Sequence, residues 1–141
     1  MIPRYTRPEM GQLWAPETKF NLWLKVELAV METQEDLGII PKGTTDAVRQ
    51  KACFNIDRID EIELTVKHDV IAFLTCVTEA VGDNGRYLHY GMTSSDLIDT
   101  ALALQITHAG HLILNGLDAL ITAVFEQAKT HKNTPMIGRS H

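Results

Sequence analysis

The longest stretch without a helix-breaking signal is the feature that most constrains how this chain can fold. Between about Ser95 and His131 only Gly110 and Gly116 weaken a helix, and each costs about 1 kcal/mol relative to alanine. At 1.5 Å per residue the stretch predicts a rod of about 55 Å. A compact domain of this size has a diameter of only about 36 Å. The helix should therefore extend beyond the domain from which it starts.

The apolar surface of this rod is too wide for a helix that packs on one side. Between Leu112 and Ala128 the apolar side chains cover an arc of roughly 220°, at 100° per residue. They need neighbours on more than one side, and the rest of the chain does not obviously supply them. We expect a helical bundle completed by other subunits, by a further C-terminal part of the protein, or by both. The residues concerned are Leu112, Ile113, Leu114, Leu117, Leu120, Ile121, Val124 and Phe125.

The remainder of the chain also has helical periodicity, and no strand-like alternation is sustained anywhere. The predicted fold class is all-α. We expect an N-terminal helical domain, residues 1–111, followed by the first long helix of a central helical bundle, residues 112–141. Thr44 or Thr45 can cap a short helix, and Gly38 ends the helix before it. The predicted helices cover residues 16–37, 44–54, 55–81 and 95–131, after an extended, proline-punctuated lead over residues 1–15 with one turn around Glu9–Leu13.

Composition excludes some classes of protein. A net charge of −5 and a pI of about 5.6 argue against a nucleic-acid binder held by phosphate contacts. No apolar run approaches the roughly 20 residues of a membrane span, and the N-terminus lacks the apolar core of a signal peptide. Cys53 and Cys76 have neither zinc-finger nor CxxC spacing, so we expect two buried free thiols and a cytoplasmic protein.

Residues 87–96 combine histidine chemistry with the start of the long helix. His89 precedes the Gly91 turn, and the hydroxyls of Thr93 and Ser94 follow where the helical pattern begins. The N-terminus of a helix has unpaired N–H groups and a partial positive charge, so it can hold a carboxylate or a phosphate. The simpler alternative is a capping box formed by Thr93 and Asp96.

The N-terminal lead offers a second candidate site. Arg4 and Tyr5, with Arg7 nearby, place a guanidinium beside a phenol, a pair suited to a phosphate next to a ribose or base. The alternative is an exposed arginine beside a tyrosine that packs against the domain.

Lys67, His68 and Asp69 form a third candidate. Lys67 and His68 can donate to an anion, and Asp69 can fix an imidazole tautomer or accept from a ribose hydroxyl. Consecutive helical residues diverge by about 100°, so all three can face one ligand only if the helix breaks there. The alternative is a solvated helix face.

The fourth candidate is the segment 138–141, in which a glycine precedes Arg139, Ser140 and His141. Histidine is the usual general acid or base near neutral pH. The alternative is a disordered tail. His108 and His111 lie three residues apart, but no third ligand lies at suitable spacing, so we expect no metal site.

Taken together, these segments resemble the adenylosuccinate lyases of the fumarase/aspartase superfamily over essentially the whole chain. Thr-Ser-Ser-Asp at 93–96 is typical of the superfamily. Lys-His-Asp-Val at 67–70, His-Tyr-Gly at 89–91 and Arg-Tyr at 4–5 point to this member. Further matching stretches are residues 1–10, 19–20, 23–29, 37–41, 58–63, 86–96, Thr134, Met136 and 138–141.

The resemblance implies a β-elimination that cleaves a C–N bond and releases fumarate, without a cofactor. The implied substrates are adenylosuccinate, which gives AMP, and the succinylated aminoimidazole carboxamide ribotide (SAICAR), which gives AICAR. The implied catalytic residues are His141, as general acid, with His68 and His89. The implied nucleotide-binding residues are Arg4, Tyr5, Lys67, His68 and Asp69, and the residues implied to bind the succinyl group are Thr93 and Ser94.

The family's members are tetramers about three times longer, and each of their active sites is built from three subunits. The resemblance therefore implies that this chain carries part of an active site, lacks the catalytic base and is inactive alone. Ser140 replaces the family's usual threonine and retains the hydroxyl. Two alternatives stay open: another lyase of the superfamily, such as an argininosuccinate lyase or a carboxymuconate cycloisomerase, and a non-catalytic helical oligomerisation module.

Overall fold

The computed structural model describes residues 2–141, and α-helices account for most of this part of the chain. The residues described contain no β-strand, in agreement with the predicted all-α class. Two short 3₁₀ turns lie at Pro3–Tyr5 and Gly82–Tyr87. The helices are α1 (Pro8–Leu13), α2 (Pro16–Asp36), α3 (Thr44–Lys51), α4 (Ile56–Val66), α5 (Asp69–Val81) and α6 (Ser94–Thr130).

An aromatic cluster forms the centre of the core. Phe73 of α5 is fully buried, and its ring stacks on that of Phe20 from α2 with centroids 5.6 Å apart. Trp23 and Phe54 meet Phe73 edge-to-face at 5.5 and 6.1 Å. Offset and edge-to-face pairs of this kind add about 0.5–1.5 kcal/mol each beyond the area that they bury. The cluster joins α2, α5 and the loop after α3 into one body.

The first half of α6 packs on this body, and its second half does not. The buried residues of α6 are Leu97, Ala101, Gln105 and Ala109, one turn apart on a single face. The Gln105 side chain is buried and its Nε2 donates to the backbone oxygen of Leu13 at 2.9 Å, which ties α1 to α6. Every side chain from residue 111 to residue 141 is exposed.

The predicted long rod is present, since α6 has 37 residues. Its length and apolar composition also meet the requirements of a membrane span, with a mean hydropathy of 1.3 over its most apolar window. The expectation that no segment approaches such a span is therefore wrong. Central helices of bundles in water meet the same requirements, because they bury apolar side chains on several sides.

The single helix predicted over residues 55–81 is wrong. The structure divides it into α4 and α5, because Lys67 adopts a left-handed conformation (φ 55°) and His68 is extended (φ −151°). The apolar spacing continues across the junction, so periodicity alone does not reveal it. Because the helix breaks here, the side chains of Lys67, His68 and Asp69 are not forced apart by 100° per residue, and this meets the condition for all three to face one ligand.

Two smaller expectations also need correction. The N-cap of α3 is Gly43, and neither Thr44 nor Thr45 caps the helix with its own side chain. The Glu35 carboxylate caps α3 instead, accepting from the backbone N–H groups of Gly43 and Thr45. Cys53 is exposed, whereas Cys76 is buried as expected. Cys53 lies in the loop after α3, outside the helical packing.

Candidate functional site

The junction between α4 and α5 presents Lys67, His68 and Asp69 at a break in the backbone. Lys67 and His68 are exposed and Asp69 is half-buried. Asp69 Oδ1 accepts from the N–H of Val70 at 2.7 Å and lies 3.6 Å from His68 Nδ1. The carboxylate therefore faces the imidazole, as the sequence-based hypothesis of an orienting acid requires. No hydrogen bond joins the Lys67 side chain to another described residue, so its amine is available to a ligand.

His89 lies in a strained turn between the second 3₁₀ turn and α6. Its φ of 59° is left-handed, a conformation that costs a non-glycine residue about 1–2 kcal/mol. Gly91 follows with φ 72°, which glycine adopts without this penalty. The N–H of Met92 donates to the carbonyl of His89 at 3.2 Å and closes the turn.

Helix α2 holds this turn through two side chains seven residues apart. The backbone N–H of His89 donates to Glu27 Oε2 at 2.7 Å, and His89 Nδ1 lies 2.6 Å from Glu27 Oε1. The Glu27 carboxylate is fully buried. About two helical turns further on, Gln34 Nε2 donates to the carbonyl of Tyr90 at 2.7 Å. These bonds fix both the backbone of the turn and the ring of His89.

The start of α6 carries the predicted capping box. The N–H of Thr93 donates to Asp96 Oδ2 at 2.8 Å, so the capping alternative is confirmed. This acid uses one donor of the helix terminus. Among the described residues, the N–H groups of Ser94 and Ser95 have no hydrogen-bond partner, as is usual for the first helical positions. They are the donors left for an anion.

The terminal candidates lie at the surface. Arg4 and Tyr5 are exposed, and the Arg4 guanidinium carbon lies 4.8 Å from the centre of the Tyr5 ring. The alternative in which Tyr5 packs against the domain is wrong, because its side chain is 73% exposed. At the other end, Arg139 Nε donates to the carbonyl oxygen of the exposed His141.

Within residues 2–141, no hydrogen bond or ion pair joins one of these candidate segments to another. Five of the surface depressions in the described part of the chain have volumes of about 400–530 Å³, and none of these five is lined by two of the predicted site residues. Lys67 lines one of them, together with Asp60, Glu63 and Leu64. In the described part of the chain, no cluster of three or more His, Cys, Asp or Glu side chains is arranged to hold a metal ion.

Sequence reasoning missed Glu27. The signal for it was present, because Phe20, Trp23, Glu27 and Met31 follow one another at spacings of three and four along the buried face of α2. A carboxylate in an apolar stripe is costly unless it is paired, so it indicates a buried partner. The identity of that partner, 62 residues away, cannot be read from this spacing.

Comparison with known proteins supports one family. A family model described as a lyase matches residues 4–141. The chain is 55% identical to the adenylosuccinate lyase of Synechocystis sp., 48% to that of Helicobacter pylori and 43% to that of Bacillus subtilis, over all 141 residues in each case. It spans about a third of the length of these relatives (33%, 32% and 33%).

A solved structure supports the same fold. The fumarate lyase from Mesorhizobium sp. BNC1 superposes with a TM-score of 0.86 at 27% identity, over 94% of this chain and 32% of that one. The all-α architecture, with its long terminal helix, is therefore shared with a known lyase. Because the family model covers nearly the whole sequence, this chain belongs to the lyase family.

Proposed function

We propose that this chain is the N-terminal part of an adenylosuccinate lyase, which eliminates fumarate from adenylosuccinate to give AMP and from SAICAR to give AICAR. The observation that carries the proposal is 55% identity to an adenylosuccinate lyase over all 141 residues. A C–N lyase is also consistent with the groups that the fold presents: two histidines beside carboxylates, an exposed arginine beside a tyrosine, and free donors at the start of α6.

The chemistry assigns a task to each group. Removal of a proton beside a carboxylate develops a second negative charge on that group. The N–H groups of Ser94 and Ser95 and the hydroxyls of Thr93 and Ser94 would stabilise this charge. A preorganised donor of this kind commonly contributes about 3–4 kcal/mol. His141 would protonate the leaving nitrogen, and the catalytic base would come from elsewhere in the complete enzyme.

The nucleotide half of the substrate needs cations and ring contacts. Arg4 and Lys67 would neutralise the phosphate, and Tyr5 would contact the ribose or base. Asp69, close to His68 Nδ1, would orient that ring toward the substrate. These groups lie in separate segments of the chain, so their assembly around one ligand is part of the proposal.

The complete protein is proposed to be a cytoplasmic homotetramer. The support for an assembly is the exposed apolar face of α6, where Leu120, Ile121, Val124 and Phe125 are each more than half exposed. An apolar surface of this extent on a single helix is typical of an interface. Other copies of the chain would cover it and bring the separate segments into shared sites.

Substrate conversion by a longer protein that contains this chain tests the proposal. We expect it to release fumarate from adenylosuccinate, and we expect the 141-residue chain alone not to do so at high concentration. His141→Gln in the longer protein should abolish most of the rate while leaving the assembly intact in sedimentation. Failure of the longer protein to convert adenylosuccinate would refute the assignment as an adenylosuccinate lyase.

A ligand experiment separates this enzyme from other lyases of the superfamily. AMP is expected to raise the thermal unfolding temperature of the longer protein, because a ligand that binds the native state stabilises it by mass action. Argininosuccinate is expected to leave that temperature unchanged. The opposite result would favour another superfamily member.

A further inference from the structure

Glu27 is a buried carboxylate to which the proposed chemistry gives no role. Its side chain is 1% exposed and lies on the core face of α2, between Trp23 and Met31. A carboxylate in such a place is stable only if it is paired and hydrogen-bonded. Both of its oxygens are used by one residue, His89, through the backbone N–H at 2.7 Å and the ring Nδ1 at 2.6 Å.

This arrangement does more than hold a turn. One oxygen would be enough to pair the N–H of His89, and Gln34 already holds the next residue through the carbonyl of Tyr90. The second oxygen of Glu27 contacts the imidazole itself. A carboxylate acceptor at Nδ1 requires a hydrogen on that atom, so Nε2 is the ring nitrogen left to meet a ligand.

The geometry around Nε2 fits this reading. The His89 side chain is 15% exposed, and among the described residues Nε2 has no hydrogen-bond partner. The left-handed backbone of His89 is an unfavourable conformation, and the two bonds that the Glu27 carboxylate accepts from His89 maintain it. Strained backbone conformations that surrounding contacts maintain cluster at functional sites, where they orient a side chain.

We propose that Glu27 is a positioning residue for the lyase: it fixes His89 with the hydrogen on Nδ1 and presents the Nε2 lone pair to a hydrogen-bond donor of the substrate. The assignment of a substrate to His89 rests on the proposed function, whereas the fixed tautomer does not. A carboxylate behind a histidine sets both the tautomer and the orientation of the ring, and at metal-bound histidines the loss of such a partner commonly costs about 10–100-fold in affinity or activity.

The first experiment needs no activity. Long-range ¹⁵N–¹H NMR of the histidine rings in the 141-residue chain reports which nitrogen of His89 carries the hydrogen. We expect Nδ1 to carry it in the unmodified chain and expect the His89 signals to move in Glu27→Gln and Glu27→Met. Glu32→Gln, an exposed acid on the same helix, is the matched control and should leave these signals unchanged.

Two results would overturn the proposal. One is a His89 ring with hydrogen on Nε2 alone in the unmodified chain. The other is a set of His89 signals that Glu27→Gln and Glu27→Met leave in place. The methionine side chain is apolar and about as long as that of glutamate, so it suits this core position. Glu27→Met therefore provides the test if Glu27→Gln fails to fold. If neither variant folds, the tautomer measured in the unmodified chain decides alone.

The second experiment uses the longer enzyme and a double-mutant cycle. We expect Glu27→Gln to lower kcat/KM by about 10–100-fold and His89→Gln to lower it at least as much. The double variant should be no worse than His89→Gln, because Glu27 acts through His89. If Glu27→Gln lowered kcat/KM by the same factor in the His89→Gln variant as in the unmodified enzyme, the positioning role would be overturned.

Failure of the proposed function gives a different outcome. If the unmodified longer enzyme did not convert adenylosuccinate, the lyase assignment would be refuted. The NMR result would still confirm or overturn the fixed tautomer.

Discussion

Lys67 and His89 share an unusual backbone conformation. Within residues 2–141 they are the non-glycine residues with positive φ, at 55° and 59°. Such residues persist only where surrounding contacts impose them, and they cluster at functional sites. Both belong to segments that the sequence had marked as candidate sites. The two left-handed residues therefore fall in two of the segments that are proposed to form the site.

Substitutions at Lys67 test this strain directly, because its side chain is exposed and packing does not interfere. Lys67→Gly should leave the free energy of unfolding unchanged or raise it by up to about 1 kcal/mol, since glycine adopts positive φ freely. Lys67→Val should lower it by about 1–2 kcal/mol, because a β-branched side chain clashes in this region. Urea denaturation measures both values. Equal effects of the two substitutions would contradict the argument.

Thr93 belongs to the capping box of α6 and is also proposed to bind the substrate. Thr93→Ala removes the side chain from the capping box at the start of α6 and should lower the free energy of unfolding by about 1 kcal/mol, within a range of 0.5–2. Thr107→Ala, in the exposed middle of the same helix, is the control and should change it by less than about 0.5 kcal/mol. Chemical denaturation of both variants provides the comparison.

At the level of the helices, α2 organises the structure around it. Its buried face carries the core residues Phe20 and Trp23. Three of its polar side chains bind other segments: Glu27 holds His89, Gln34 holds Tyr90, and Glu35 caps α3. The length and end of α2 could be predicted from periodicity and from Gly38. Its contacts could not, because each spans between 8 and 62 residues of sequence.

The cap that Glu35 provides makes stability depend on pH. Hydrogen bonds from the N–H groups of Gly43 and Thr45 lower the pKa of Glu35 below its ordinary value of 4.5. A carboxyl group with a lowered pKa in the folded state contributes its full stabilisation above that ordinary value. The contribution is lost as the pH falls through the folded-state pKa. The Arg58 guanidinium likewise lowers the pKa of Glu79.

We therefore expect the free energy of unfolding to fall as the pH drops from about 5 toward 3. Glu35→Gln should be less stable near neutral pH and should show a shallower acid dependence, because one of the lost contributions is already missing. Asp36→Asn, the adjacent exposed acid, should retain the original dependence. Urea midpoints measured across this pH range test the point, and parallel curves for Glu35→Gln and the unmodified chain would refute it.

For the whole molecule, the decisive feature is the half of α6 that leaves the domain. Its apolar residues from Leu112 to Phe125 are between 37% and 64% exposed. Burial of a leucine or isoleucine side chain contributes about 1.5–3 kcal/mol, so several of them together favour association strongly. The predicted need for neighbours on more than one side agrees with this exposure.

Self-association should therefore depend on this face. We expect the 141-residue chain to form oligomers at micromolar concentration and expect the double substitution Leu117→Gln with Ile121→Gln to shift it toward the monomer. Asp118→Asn, on the same turn of α6, is the control and should leave the distribution unchanged. Sedimentation velocity gives the distribution for each variant. A monomeric unmodified chain would show that other parts of the protein cover the face.

The sequence by itself determined the helical class, the long rod, the wide apolar face and the segments that are proposed to carry chemistry. These features depend on local spacing, since an α-helix is built from bonds between residues four apart, and on short motifs of adjacent residues. The tertiary structure decided the break at Lys67, the capping of α3 by Glu35 and the pairing of Glu27 with His89. Each of these depends on which residues packing brings together across the chain, and local periodicity does not contain that information.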